Sequence, residues 1–218
     1  MTLFLKWCAG ILALTLLLCP VSGLADTAGD VGVVGNCFPD EPELTPDMPQ
    51  YHCNQGGSYY GKGQYDLALG AYQKALEIDA AYSNAFYGMA ITYRVMGRLD
   101  LAIDNYGEVI RLAPNYAQPY ASRAELYQCI GRFEDAESDL DSYVRLNGQY
   151  PVPFLARGDF FMARREYARA AEDYATAIER NPKHQEARLK YAGALLLSGS
   201  AEEARIAFEQ AAALSTAK

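Results

Sequence analysis

Five cysteines, two histidines and a knot of arginines are the residues of this 218-residue chain whose types could do chemistry. Cys8 and Cys19 sit in an apolar N-terminal stretch, and Cys37, Cys53 and Cys129 lie beyond it. Cys37 and Cys53 are close enough in sequence to close a short loop. A disulfide between them would contribute ~2–3 kcal/mol and leave Cys129 a free, partly buried thiol. The competing reading makes all three small apolar packing residues. Three dispersed cysteines with His52 and His184 show no metal-ligand spacing. No Ser/His/Asp or Cys/His constellation, glycine-rich phosphate loop or paired acid site appears, and the two histidines stand at opposite ends of the chain. The expectation is a noncatalytic protein with no cofactor and no metal. Arg157, Arg164, Arg165 and Arg169 fall close together. They could accept an anion, but a solvated helix face is the reading adopted here.

These residues are positioned by a repeat. Ala68, Ala102, Ala136, Ala170 and Ala204 recur every 34 residues, and so do Tyr72, Tyr106, Leu140, Tyr174 and Phe208. A fixed period of this size signals stacked helical units, with small residues where helices cross closely. Each unit reads as two amphipathic helices. Mid-unit breaks fall at Gly63, Gly97, Gly131 and Gly199, where a left-handed backbone suits glycine. Breaks between units carry Pro114 and Pro182, with Ala80 and Gly148 at the matching places. The units are 49–82, 83–116, 117–150, 151–184 and 185–218. Arg165 replaces glycine at the fourth mid-unit turn, which implies local strain or a different turn. His52 and Gln55 replace large apolar residues and suggest a frayed first unit, while Tyr143 stands where Ala75, Ala177 and Ala211 stand elsewhere and should open the stack locally.

First helices carry aromatic, large apolar and small residues in a set order. Phe86, Met89, Ala90 and Tyr93 show it in the second unit, Tyr120, Ala124 and Tyr127 in the third, and Phe154, Gly158 and Phe161 in the fourth. Tyr65, Phe133 and Tyr167 precede the alanine of second helices. On these residues the chain resembles the tetratricopeptide repeat family over roughly 49–214. The resemblance implies an all-α, right-handed superhelical solenoid of about five helix-turn-helix repeats, with a concave groove lined by first helices. It also implies that Asn54, Tyr60, Asn84, Tyr87, Arg94 and Gln128 face that groove, and these are the candidate protein-binding residues. The Lys, Arg and Asn clamp by which some members grip a terminal carboxylate is absent, because those places hold Cys53, Gly57, Gly88, Gln118 and Ser122.

Residues 1–25 combine Lys6, an apolar run from Trp7 to Leu18, Pro20 and the small-large-small end Gly23-Leu24-Ala25. This is the layout of a secretory signal peptide, cleaved after Ala25. The segment is barely long enough to span a bilayer, so a retained anchor is the competing reading. Residues 26–48 form an acidic tail rich in proline, with Asp40, Glu41, Glu43 and Asp47 among Pro39, Pro42 and Pro46, a composition that resists core formation.

Net charge is -8, unevenly placed. Residues 26–150 hold 8 Lys/Arg against 18 Asp/Glu, and residues 151–218 hold 10 against 9. Nucleic-acid binding lacks a basic surface. The expected role is an exported, periplasmic scaffold that binds a protein or peptide through its groove, touching membrane only through the signal segment. The alternative is a structural module that self-associates through its last helix, where Ala204, Ile206, Ala207, Phe208, Ala211, Ala212 and Leu214 have no polar helix behind them. An enzyme is the third reading.

Overall fold

A computed structural model describes residues 44–216, with side chains to 213. The signal segment, Cys37 and the tail to residue 43 lie outside the described residues. Every regular element among the described residues is an α-helix. In order they are α1 (Pro49–Gly61), α2 (Tyr65–Ile78), α3 (Ser83–Val95), α4 (Leu99–Leu112), α5 (Gln118–Cys129), α6 (Phe133–Asn147), α7 (Val152–Ala163), α8 (Tyr167–Arg180), α9 (Gln185–Leu197) and α10 (Ala201–Thr216). The chain divides into two compact units, one ending at Cys129 and the other starting at Ile130.

Periodicity explains the helices. In α4 the buried residues Ala102, Ile103, Tyr106 and Val109 lie on one stripe, and in α8 Ala170, Ala171, Tyr174 and Ala177 do the same. In the first unit α2 packs on α1 and α3, α4 packs on α3 and α5, and α1 also touches α3. In the second, α7 packs on α6 and α8, and α9 packs on α8 and α10. Ala68, Ala102, Ala136 and Ala170 are fully buried, and Ala204 nearly so. The recurring alanine is therefore the crossing point that its spacing predicts. Tyr143 is buried as well.

The second recurring position sets an interlock. The Tyr72 ring lies between α1 and α3, so a Cβ at Gly56 or at Gly88 would stand 2.5 Å from ring carbon Cε1. A side chain at either glycine would have to push the ring aside. The matching ring of Tyr174 meets Gly158 in the same way, at 2.6 Å.

The expectation of a frayed start is not what the chain does. α1 begins on a proline, which costs no helical hydrogen bond there, and runs for 13 residues. Ahead of it, the His52 Nε2 lies 2.9 Å from the Pro46 carbonyl oxygen.

The mid-unit turns share one geometry. Gly63, Gly97, Gly131 and Gly199 have φ of 72°, 72°, 76° and 95°, and Arg165 joins them at 63°. The Arg165 N–H donates to Met162 O at 3.0 Å and the Glu166 N–H to Phe161 O at 2.9 Å, matching Gly63 to Tyr60 and Gln64 to Tyr59. Gly63, Gly97, Gly199 and Arg165 thus make the same Schellman turn. An L side chain in this region costs ~1–2 kcal/mol. Arg165→Gly removes that strain, less the ~0.4–1 kcal/mol by which glycine loosens the unfolded chain. We expect a rise in Tm of a few degrees or less by calorimetry. A fall would mean that the exposed Arg165 side chain holds something the turn needs.

Candidate functional site

The first helices of the unit ending at Cys129 carry the predicted groove residues, and they divide into two sets. Asn54 and Asn84 are exposed. Gln128 is half-buried and folds back, its Nε2 donating to Ala124 O at 3.4 Å. Tyr60, Tyr87 and Arg94 come together more closely, being half-buried and backed by aromatic rings. Tyr60 lies 5.8 Å from Tyr65 between ring centroids. Tyr87 meets Tyr106 edge-on at 5.8 Å and Tyr116 at 5.6 Å. Such pairs contribute ~0.5–1.5 kcal/mol beyond their burial. The sequence reading missed Tyr116, which sits in the turn after α4.

Arg94 makes a loose ion pair, Nη1 to Glu125 Oε2 at 3.6 Å. Other ion pairs described here are at 2.9 Å or less. Glu125 is its one polar partner among the described residues. Next to it lies an unmet donor. Tyr106 is fully buried, and its hydroxyl has no hydrogen-bond partner. Burial pushes its pKa up to about 12, against smaller effects of Arg94 and Ser122 that lower it and of Glu125 and Tyr60 that raise it. Those four neighbours place the hydroxyl end on the first-helix side. Ser122 comes near it without a hydrogen bond of acceptable geometry forming.

The other unit shows what this position holds when it is complete. Tyr174 occupies the phase of Tyr106, and its hydroxyl donates to Asp159 Oδ1 at 2.7 Å. The other oxygen, Asp159 Oδ2, accepts from Lys190 Nζ at 2.7 Å, and Lys190 also pairs with Glu186 at 2.9 Å. A carboxylate thus joins a tyrosine hydroxyl to a cation. In the second repeat Ile91 stands at the phase of Asp159, so Tyr106 has no such carboxylate within its own repeat.

The arginine knot is occupied by carboxylates. Arg157 binds Asp173 through Nε at 2.9 Å and Nη2 at 2.8 Å, and Asp141 through Nη1 at 2.7 Å. Arg164 pairs with Glu166, and Arg169 with Glu166 and Glu137. The Arg169 guanidinium also lies 3.8 Å from the Phe161 ring centroid. These contacts clip α6, α7 and α8 together, so the cluster is a structural clasp. Its signal in the sequence was the pair of aspartates sixteen residues to either side of Arg157.

The cysteines depart from expectation. Cys53 is a free thiol, which overturns the Cys37–Cys53 disulfide. It sits half-buried against the Ala68, Tyr72, Ala75 and Ala85 cluster, as a small apolar packing residue would. Cys129, expected to be free, is disulfide-bonded. A recess of about 410 Å³ opens among α3, α4 and α5, with Asp104, Glu108 and Arg123 on its wall.

Models described as tetratricopeptide repeat match residues 84–116 and 155–217, and a model described as TPR repeat matches residues 56–97. No curated protein matches the chain. Among solved structures the chain is similar to MamA, at 22% identity over 78% of this chain and 93% of that one, with TM-score 0.69. It is also similar to MamA from Desulfovibrio magneticus RS-1, at 14% identity over 78% and 97%, with TM-score 0.67. A third is YrrB, described as a TPR protein with an unusual peptide-binding site, at 19% identity over 77% and 87%, with TM-score 0.64. At these identities the likeness is one of fold.

Burial raises the Cys53 thiol to about 11. At pH 7.5 it should therefore carry on the order of a hundredfold less thiolate than an ordinary cysteine. Alkylation of the folded protein by iodoacetamide should be slow at that pH and quicken with each step towards pH 11. A fast reaction at neutral pH would mean that α1 opens readily.

Proposed function

The chain belongs to the tetratricopeptide repeat family, and on that basis we propose that it is an exported, noncatalytic scaffold that binds a peptide or helix of another protein along α1, α3 and α5. The observation that carries this reading is Tyr87. Its ring packs on Tyr106 and Tyr116 yet stays half exposed beside a loosely paired Arg94. Tyrosine and arginine dominate the energetics of protein interfaces, because each offers large contact area and directional bonding at modest entropic cost. A rigid, pre-stacked ring loses little freedom on contact. YrrB, similar in fold, lends general support through its peptide-binding site. Export rests on residues 1–25, whose layout is that of a cleaved leader.

Photocrosslinking tests the groove. A photoreactive residue at Tyr87 should capture a partner polypeptide in the native cell, whereas the same residue at exposed Gln73 of α2 should not. Equal capture from both positions would sink the groove. Mass measurement of the mature protein should show residues 1–25 missing; their retention would sink export by cleavage.

Self-association is favoured by a separate observation. Leu196 and Leu197 of α9 and Ile206 of α10 are 42%, 44% and 43% exposed. If they meet a second copy, light scattering should give a dimer that Ile206→Glu converts to a monomer. A monomer in both cases removes this reading.

A further inference from the structure

We propose that the recess at Gly107 is a second binding site of this protein, which takes a small carboxylic acid with an apolar body. The carboxylate sits on Arg123 and the body lies against Phe86, Ile103 and Tyr127. None of the groove candidates lines the recess, so the proposal does not rest on the groove reading.

The position repeats, and its occupant changes. Arg123 and Arg157 stand 34 residues apart, and so do Gly107 and Asp141. In the second unit Arg157 turns Nε and Nη2 to Asp173 and Nη1 to Asp141, the last at 2.7 Å. One guanidinium thus holds two carboxylates, because its N–H groups point along more than one edge. In the first unit a Cβ at Gly107 would stand 3.5 Å from Arg123 Nη1, and nothing else from outside α4 comes within 4 Å of it. The atom that meets Asp141 in one unit therefore meets, in the other, a place with no side chain. Whatever else Arg123 holds, that edge faces the recess.

Space and lining set the rest of the ligand. At Ala175, the next small residue at this position, a recess of about 150 Å³ opens in the second unit. There Tyr191 stands at the phase of Arg123, and the nearby Arg188 gives Nε and Nη2 to Pro182 O. The recess at Gly107 joins space to an arginine of the right phase. Its volume of about 410 Å³ lies in the range of small-molecule sites. A carboxylate fills little of that, and Phe86 with the buried Ile103 and Tyr127 bounds the remainder. Tyr127 also steadies the cation, its ring centroid lying 5.5 Å from Arg123 Cζ.

The carboxylates on the wall do not cancel this charge. Glu108 accepts from Arg111 Nε at 2.9 Å and Nη2 at 2.8 Å. Asp104 is exposed, where water and salt screen it. Arg123 is half-buried, so its field on the recess is screened less.

Two measurements on the full chain test the site. In an NMR titration, phenylacetate should shift the Gly107 and Tyr127 amide signals and saturate. Phenylacetamide, of the same shape without the charge, should bind ~10-fold more weakly or worse. No saturable binding, or equal binding of acid and amide, overturns the proposal. Gly107→Asp places a carboxylate of the chain's own in the site and should weaken phenylacetate binding by a similar factor; unchanged affinity overturns the placement. The second measurement needs no ligand. Gly107→Asp should melt higher relative to Gly107→Asn when Arg123 is present than in an Arg123→Gln background, by a few degrees. A difference between aspartate and asparagine that ignores Arg123 overturns the carboxylate site.

Discussion

The fold depends on how near two helices can come. Where α1 and α3 flank α2, the gap is the thickness of one tyrosine ring, and Gly56 and Gly88 leave it open. Buried alanines set the crossing within each pair to the same tolerance. Dispersion contacts weaken steeply with separation, so a stack built on small residues gains most from each ring it holds. The chemistry of the surface follows from this spacing. Tyr87 is held by its neighbours because second-helix rings press forward between first helices, and the Tyr106 hydroxyl reaches the first-helix side for the same reason.

Much of this was legible in the residues. A 34-residue phase kept by alanine, by the aromatic position and by the turn glycine leaves few alternatives, and the ten helices of the described residues fall between the breaks it marks. Even the odd turn at Arg165 was readable as strain, because its siblings declared which backbone the position needs. Local rules suffice when each unit repeats the same local problem.

Interactions between units were harder to read. Arg157 looked like part of a solvated face because its aspartates lie on other helices. Cys37 and Cys53 looked like a pair because they are neighbours in sequence, but α1 turns Cys53 towards Ala68 and Tyr72. Tyr106 recurs at a buried phase, but its ring and its hydroxyl answer to different neighbours. Deciding these points takes knowledge of which turn of one helix faces which turn of the next. The period bounds that without giving it.

The interlock at Tyr72 also limits how such a chain can change by duplication. Its ring needs glycine in its own repeat and again in the one that follows, so the requirement straddles the boundary at which repeats are copied or lost. A duplicated segment that brought alanine or serine to the place of Gly88, as Ser122 stands one repeat later, would have to displace the ring from the position it holds here. Repeats of equal length are therefore not interchangeable parts: their order along the chain is itself inherited information, guarded by the absence of one methyl group.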